Sequence, residues 1–182
     1  MGASSNEGYG AALHAARSAA GAQHYPQGCL YVLATPIGNL ADITLRALHL
    51  LQLADTVACE DTRHTQALLR TYGIDKPATQ LLAVHQHNEM QAAQEVGARL
   101  RQGQRVAYVS DAGTPGISDP GARLVAHLRA DGMRVVPLPG PSSVTVLLSA
   151  AGIDDSAASG FVFAGFLPVK SAQRAAALQV LQ

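Results

Sequence analysis

Five short clusters hold most of the residues whose types can do chemistry. They are Thr35-Pro36-Ile37-Gly38-Asn39, Glu60-Asp61-Thr62-Arg63-His64-Thr65, His85-Gln86-His87-Asn88-Glu89, Ser110 through Gly121, and Pro139-Gly140-Pro141-Ser142-Ser143. Carboxylates and imidazoles in the second and third clusters suit proton transfer. A solvated charge cluster with no chemistry is the competing reading, and metal ligation is a weaker one, since an isolated H-x-H carries little signal. The fourth cluster sets Asp111, Gly113 and Thr114 among prolines and serines. Its backbone can therefore approach a ligand closely. Asp111 can accept hydrogen bonds from an amine, an amide or a ribose, or help to hold a metal, whereas Asp119 before Pro120 reads as a helix cap. Gly140, Pro141, Ser142 and Ser143 open a helix, where free amides and hydroxyls suit a carboxylate or phosphate, unless Ser142 is merely the cap. No G-x-G-x-x-G, no G-x-x-x-x-G-K-[ST] and no G-x-S-x-G occurs, which disfavours a dinucleotide site, a P-loop and a serine hydrolase. No zinc spacing accompanies His85 and His87, so no metal site is assigned.

Each cluster follows a short apolar run and precedes a helical pattern. The runs are Leu30–Ala34, Thr56–Cys59, Leu81–Val84, Arg105–Val109 and Arg134–Leu138, nearly continuous in apolar residues as strands covered on both faces should be. The helical patterns cover Ile43–Leu53 with Asp42 as cap, Thr65–Tyr72, Asn88 to Gly103, Asp119-Pro120 to Gly132, and Pro141 to Gly152. The alternation predicts an α/β fold: a five-stranded, mostly parallel sheet with helices on both faces. In such a sheet ligands bind beyond the carboxyl ends of the strands, the rim on which all five clusters fall. Phe161–Phe166 reads as one further strand and Ser171 onward as a helix. The expected organisation is therefore a disordered extension over 1–28, a first domain over 29–153, and a linker with the start of a second α/β domain over 154–182.

Composition narrows the partners. The 182 residues carry 13 Lys+Arg against 13 Asp+Glu, so no overall positive field draws in nucleic acid, and an anionic partner needs a local patch. Aromatics are few (five Tyr, three Phe, no Trp) and Ala numbers 33, which excludes broad base-stacking platforms. Cys29 and Cys59 stand alone in apolar runs, as buried free thiols of a reducing cytoplasm. No apolar run is long enough to span a membrane, and the first residues lack the pattern of a secretory signal.

Taken together, the five clusters, with Pro137-Leu138 before the fifth and Gly165-Phe166-Leu167-Pro168 and Lys170-Ser171 after it, resemble the bacterial small-subunit ribosomal RNA cytidine 2′-O-ribose methyltransferases of the tetrapyrrole methylase superfamily. The resemblance runs from about Leu30 to Leu181. It implies two α/β domains with S-adenosylmethionine in the cleft between them, a cytoplasmic homodimer, and small-subunit ribosomal RNA as substrate. Pro36, Ile37, Asp111, Gly113, Thr114, Gly140, Pro141, Ser142 and Ser143 would then hold the cofactor. Arg63, His85 and Asn88 would contact the ribose side, and Glu60, Asp61 or His87 would take the hydroxyl proton. Arg46, Arg63, Arg70, Lys76, Lys170 and Arg174 are the expected RNA-gripping cations. A tetrapyrrole-directed methyltransferase, a metal-dependent hydrolase or phosphotransferase, and a non-catalytic binding module are the alternatives.

Overall fold

A computed structural model describes residues 7–118, 120–152 and 160–181. Five strands, β1 (Cys29–Leu33), β2 (Thr56–Cys59), β3 (Leu81–Ala83), β4 (Val106–Val109) and β5 (Arg134–Pro137), alternate with helices α2 (Leu45–Leu53), α3 (Thr62–Thr71), α4 (Glu89–Arg101), α5 (Ala122–Ala130) and α6 (Ser143–Ala151). All four strand pairings are parallel and the order is β3-β2-β4-β1-β5. The chain leaves β1 toward β2 on one side, and leaves β4 toward β5 on the other. The gap beyond the carboxyl ends of β1 and β4 is therefore the topological switch point, where a ligand-binding crevice opens in such sheets.

Period-two alternation sorts the strand residues onto two cores. Tyr31, Leu33, Val57, Cys59, Ala107 and Val109 face one way and pack with Ala47, Leu48, Leu51 and Leu69 of α2 and α3. Leu30, Ala58, Val106 and Tyr108 face the other way, against Ala92, Val96, Leu100, Leu124 and Leu128 of α4 and α5. β2 and β4 are buried along their whole length because they lie inside the sheet, whereas β5, at its edge, is partly open.

Four helix starts depart from expectation, α3 beginning at Thr62 rather than Thr65 and α6 at Ser143 rather than Pro141. α2 begins at Leu45, and Thr44, rather than Asp42, caps it: the Thr44 hydroxyl accepts the Ala47 amide at 3.1 Å. Asp42 belongs to a 3-10 turn at Leu40–Asp42. α5 begins after Gly121, which has φ +115° and no side chain to cap with. The cap is supplied from another helix: buried Glu89 of α4 accepts the Arg123 amide at 3.1 Å. A side chain at Gly121 would also overlap the Tyr108 ring, whose hydroxyl donates to the Pro120 carbonyl. Asp119, the expected cap, lies outside the described residues.

The stretch expected to be a disordered extension holds a helix, α1 (Glu7–Ala20). Ala16 and Ala20 are fully buried in the α2-side core, and Tyr9 meets Tyr72 edge to face at 5.0 Å. An alanine-rich segment has high helix propensity and lets a neighbouring helix approach closely, yet shares its small-residue composition with flexible tails. Composition alone therefore misled.

The chain divides into two compact units, Met1–Val144 and Thr145–Gln182. In the second, α7 (Ser171–Val180) forms as expected, but residues 160–166 are irregular instead of a strand. A strand needs a neighbour to take its amides and carbonyls, and none of the described strands pairs with this stretch.

Candidate functional site

Parallel strands deliver all five polar clusters to one rim. At the switch point, the loops after β1 and β4 are tied together by a reciprocal pair of hydrogen bonds, Thr35 amide to Gly113 carbonyl and Gly113 amide to Thr35 carbonyl, each 3.0 Å. The Thr35 hydroxyl adds a bond to the Ser110 carbonyl, and the Ser110 hydroxyl turns back onto Gly113. Gly113 sits at φ +83°, with Ile37 only 3.2 Å from where its Cβ would stand. The third loop joins through Thr114, whose hydroxyl donates to the Pro141 carbonyl at 3.0 Å. A Cβ on Gly140 would come within 2.7 Å of the Ala34 side chain. The glycines thus permit three loops to close on one another, and Pro36, Ile37, Gly113, Thr114, Gly140 and Pro141 form a single frame. Ser142 and Ser143 lead from that frame into α6.

Beside the frame lies a cavity of about 350 Å³ lined by Pro36, Ile37, Leu40, His64, Leu68 and Asp111 among others. Asp111 Oδ1 is buried there with no hydrogen-bond partner. A carboxylate oxygen left without a donor is costly unless a ligand supplies one. Tyr72 supports the wall from behind, its hydroxyl donating to the Leu40 carbonyl at 2.6 Å; burial pushes that phenol up to about 12.

Cys59 ends β2 beneath this rim and is a buried free thiol. Burial pushes it up to about 11, a Thr65 hydrogen bond works against that rise, and the charges of Asp111 and Asp61 add to it. The carboxylates of the second and fourth clusters are therefore electrostatic neighbours.

Several expected site residues make hydrogen bonds that hold local structure. Asp61 caps α3, its Oδ1 accepting the amides of Arg63 at 2.8 Å and His64 at 3.2 Å. The His64 and Arg63 amides hold its carboxyl below the usual carboxylate range, which makes it a weaker base. Asn88 stitches its own loop: its Oδ1 accepts the His85 amide at 2.8 Å and its Nδ2 donates to the Ala83 carbonyl at 3.0 Å. Lys76 is buried, not presented to RNA; its Nζ donates to the Ala54 carbonyl at 2.6 Å at the end of α2, and burial lowers its pKa. Glu60 is half-buried and already engaged, while Arg63, His85 and His87 are exposed. Conversely, His64, Leu40 and Leu68 line the Asp111 cavity without having been singled out for it. The usable signal was His64's place in the first turn of a helix that begins on the active rim. Among the described residues no group of three or more His, Cys, Asp or Glu is gathered as metal ligands. No helix among them is long and apolar enough to cross a membrane.

The frame invites comparison with known proteins. Residues 29–181 match the family described as Tetrapyrrole (Corrin/Porphyrin) Methylases. A "Ribosomal RNA small subunit methyltransferase I" of Escherichia coli O157:H7 is 53% identical over 156 residues, which cover 86% of this chain and 52% of the relative. A protein of the same description from Mesorhizobium japonicum is 54% identical over 153 residues, covering 84% and 50%. The chain thus spans about half the length of the curated relatives it matches. Among solved structures, a cobalt precorrin-4 methyltransferase superposes with a TM-score of 0.54 at 26% identity, over 71% of this chain and 54% of that one. A uroporphyrin-III-C-methyltransferase from Thermus thermophilus gives 0.50 at 25% identity, over 70% and 53%. With the parallel sheet, the loop frame at its switch point and the match over 29–181 all in agreement, the chain belongs to the tetrapyrrole methylase family.

Proposed function

We propose that this chain forms the cofactor-binding half of an S-adenosylmethionine-dependent methyltransferase acting on a cytidine 2′-hydroxyl of small-subunit ribosomal RNA. The observation that carries the reading is the buried, unpartnered Asp111 oxygen in a cavity beside a three-loop glycine frame. The frame fits the cofactor: Asp111 can accept from its amine or hydroxyl groups, while Pro36, Ile37, Gly113, Thr114, Gly140, Pro141, Ser142 and Ser143 offer backbone and hydroxyl partners. When bound, S-adenosylmethionine supplies an electrophilic methyl group on a sulfonium. The protein's contribution is alignment, worth up to about 7–11 kcal/mol for well-oriented partners, plus removal of the hydroxyl proton, worth about 10²–10⁴-fold.

For that proton, Glu60 and His87 are preferred to Asp61, whose carboxyl is held below the usual carboxylate range by the His64 and Arg63 amides and is the weaker base. His64 joins them because it shares the cavity with Asp111. Arg63 and His85 remain the proposed ribose-side contacts; Asn88 acts by shaping their loop. Exposed Arg46, Arg63, Arg70, Lys170 and Arg174 are the proposed phosphate contacts, and binding to the small ribosomal subunit should weaken steeply with salt. The resemblance further supports a cytoplasmic homodimer and a domain plan of 29–153 followed by the opening of a second domain from 154. Sedimentation velocity checks the dimer.

Relatives at 53–54% identity carry a ribosomal RNA description, whereas the tetrapyrrole-directed structures stand at 25–26%, which favours RNA over a small macrocycle. Calorimetry tests the cofactor assignment. S-adenosylmethionine should bind the chain, and Asp111→Ala should weaken binding by about 10–100-fold, the scale of a hydrogen bond to a charged group. Unchanged affinity in the variant would remove Asp111 from the site.

A further inference from the structure

The rim opposite the loop frame holds a second cavity. It measures about 580 Å³ and is lined by Arg17 of α1, His49 of α2, the segment entering β1 with Gln23, His24 and Tyr25, and Arg105 just before β4. These positions precede their strands, so the cavity lies at the amino-terminal ends of the sheet, away from the Asp111 site. Its lining includes two guanidinium groups and two imidazoles but no carboxylate. The ion pairs among the described residues join Arg99 to Glu95 and Arg101 to Asp131, and neither involves Arg17 or Arg105. The nearby Asp55 carboxylate accepts the Arg105 backbone amide at 2.7 Å and does not line the cavity.

The site is built rather than incidental. Arg105 is held in place by its Nε, which donates to the Tyr25 carbonyl at 3.0 Å, and His49 lies against the Tyr25 ring at 5.2 Å. His49 Nδ1 is buried with no partner. Gly21 closes the last turn of α1, its amide donating to the Arg17 carbonyl at 2.9 Å, and a Cβ there would stand 2.5 Å from that oxygen. Arg17 comes from α1, outside the residues that match the family, whereas His49 and Arg105 lie within them.

We infer that this cavity between α1, α2 and the entrances to β1 and β4 binds a phosphate group, using Arg17 and Arg105 for charge and His49 and His24 as further donors. Guanidinium groups suit phosphate because their N–H forks match its oxygens. Burial, and then Arg17, holds the His49 imidazole below its ordinary range; a bound anion would offset the Arg17 charge and raise it. The proposal is independent of the methyl-transfer reading, since it uses none of the same residues.

The test is a titration of the full chain, labelled at histidine for NMR, with inorganic phosphate against sodium chloride of matched ionic strength. The His49 and His24 resonances should shift saturably with phosphate and not with chloride. Arg17→Gln and Arg105→Gln should each weaken binding about tenfold or more. Arg17 is exposed on its helix, so Arg17→Gln alone decides if Arg105→Gln fails to fold. A response no larger than that to chloride, or one unchanged in Arg17→Gln, overturns the site. Competition identifies the source. Displacement of phosphate by an oligoribonucleotide without terminal phosphates assigns a backbone phosphate. Displacement by cytidine 5′-monophosphate alone assigns a terminal one. Displacement by neither assigns free inorganic phosphate as the ligand.

Discussion

Asp61 and Asp111 show how neighbouring carboxylates on one rim acquire different duties. The first has its charge satisfied by two amides at the start of α3, and the second is half-buried with its buried Oδ1 left without a donor. The difference is testable by substitution. Asp61→Asn keeps an acceptor for the cap, so it should leave both the melting temperature and methyl transfer close to wild type in a protein extended to the length of its relatives. Asp61→Ala should lower the melting temperature and reduce turnover with it. If Asp61 were the base, Asp61→Asn would abolish turnover without affecting melting. Comparing calorimetric melting with methyl incorporation for the pair separates the two roles. The ligand-facing role of Asp111 was legible in the chain, but the duty of Asp61 was not, because Glu60-Asp61-Thr62-Arg63 contains a helix cap and a candidate base in adjacent positions. Only the amide geometry distinguishes them.

At the scale of elements, the strands and their loops were legible because a parallel sheet leaves two strong marks in a sequence: short apolar runs, and polar, glycine-rich turns after each one. All five strands form within a residue of the expected limits. Helix starts were less legible, since α5 takes its cap from Glu89 on another helix, a long-range device that no local pattern records. α1 was missed for a related reason: its stability comes from docking on α2 rather than from a large apolar face of its own. Through Tyr9 against Tyr72, and Tyr72 bonded to the Leu40 carbonyl, α1 also braces the wall of the Asp111 cavity. Filling that contact should therefore disturb both fold and site. Ala16 is fully buried, and Ala16→Leu should cost about 1–3 kcal/mol by overpacking, read as a lower urea midpoint. An unchanged midpoint would mean that α1 is not docked in solution.

For the whole molecule, zero net charge leaves function to local fields on two rims, one acidic and polar, one cationic. The buried Cys59 thiol provides a global check on the first. Its folded pKa is raised to about 11 from an ordinary value of 9.0, so folding binds its proton more tightly. The resulting stability is fully present below pH 9 and is lost as pH rises through 11. Measured by urea unfolding, wild type should lose on the order of 2 kcal/mol more than Cys59→Ala across that window. Parallel curves for the two proteins would show that the thiol is not buried beside Asp111 and Asp61.

The proposed reaction is methyl transfer to a ribose hydroxyl. It is tested most directly by supplying radiolabelled S-adenosylmethionine and unmodified small ribosomal subunits to the sequence extended to the length of its relatives, with and without Asp111→Ala, and then digesting the RNA to nucleosides. Label should appear in 2′-O-methylcytidine and be strongly reduced by Asp111→Ala. Label absent from ribose, or undiminished in the variant, would contradict the proposal.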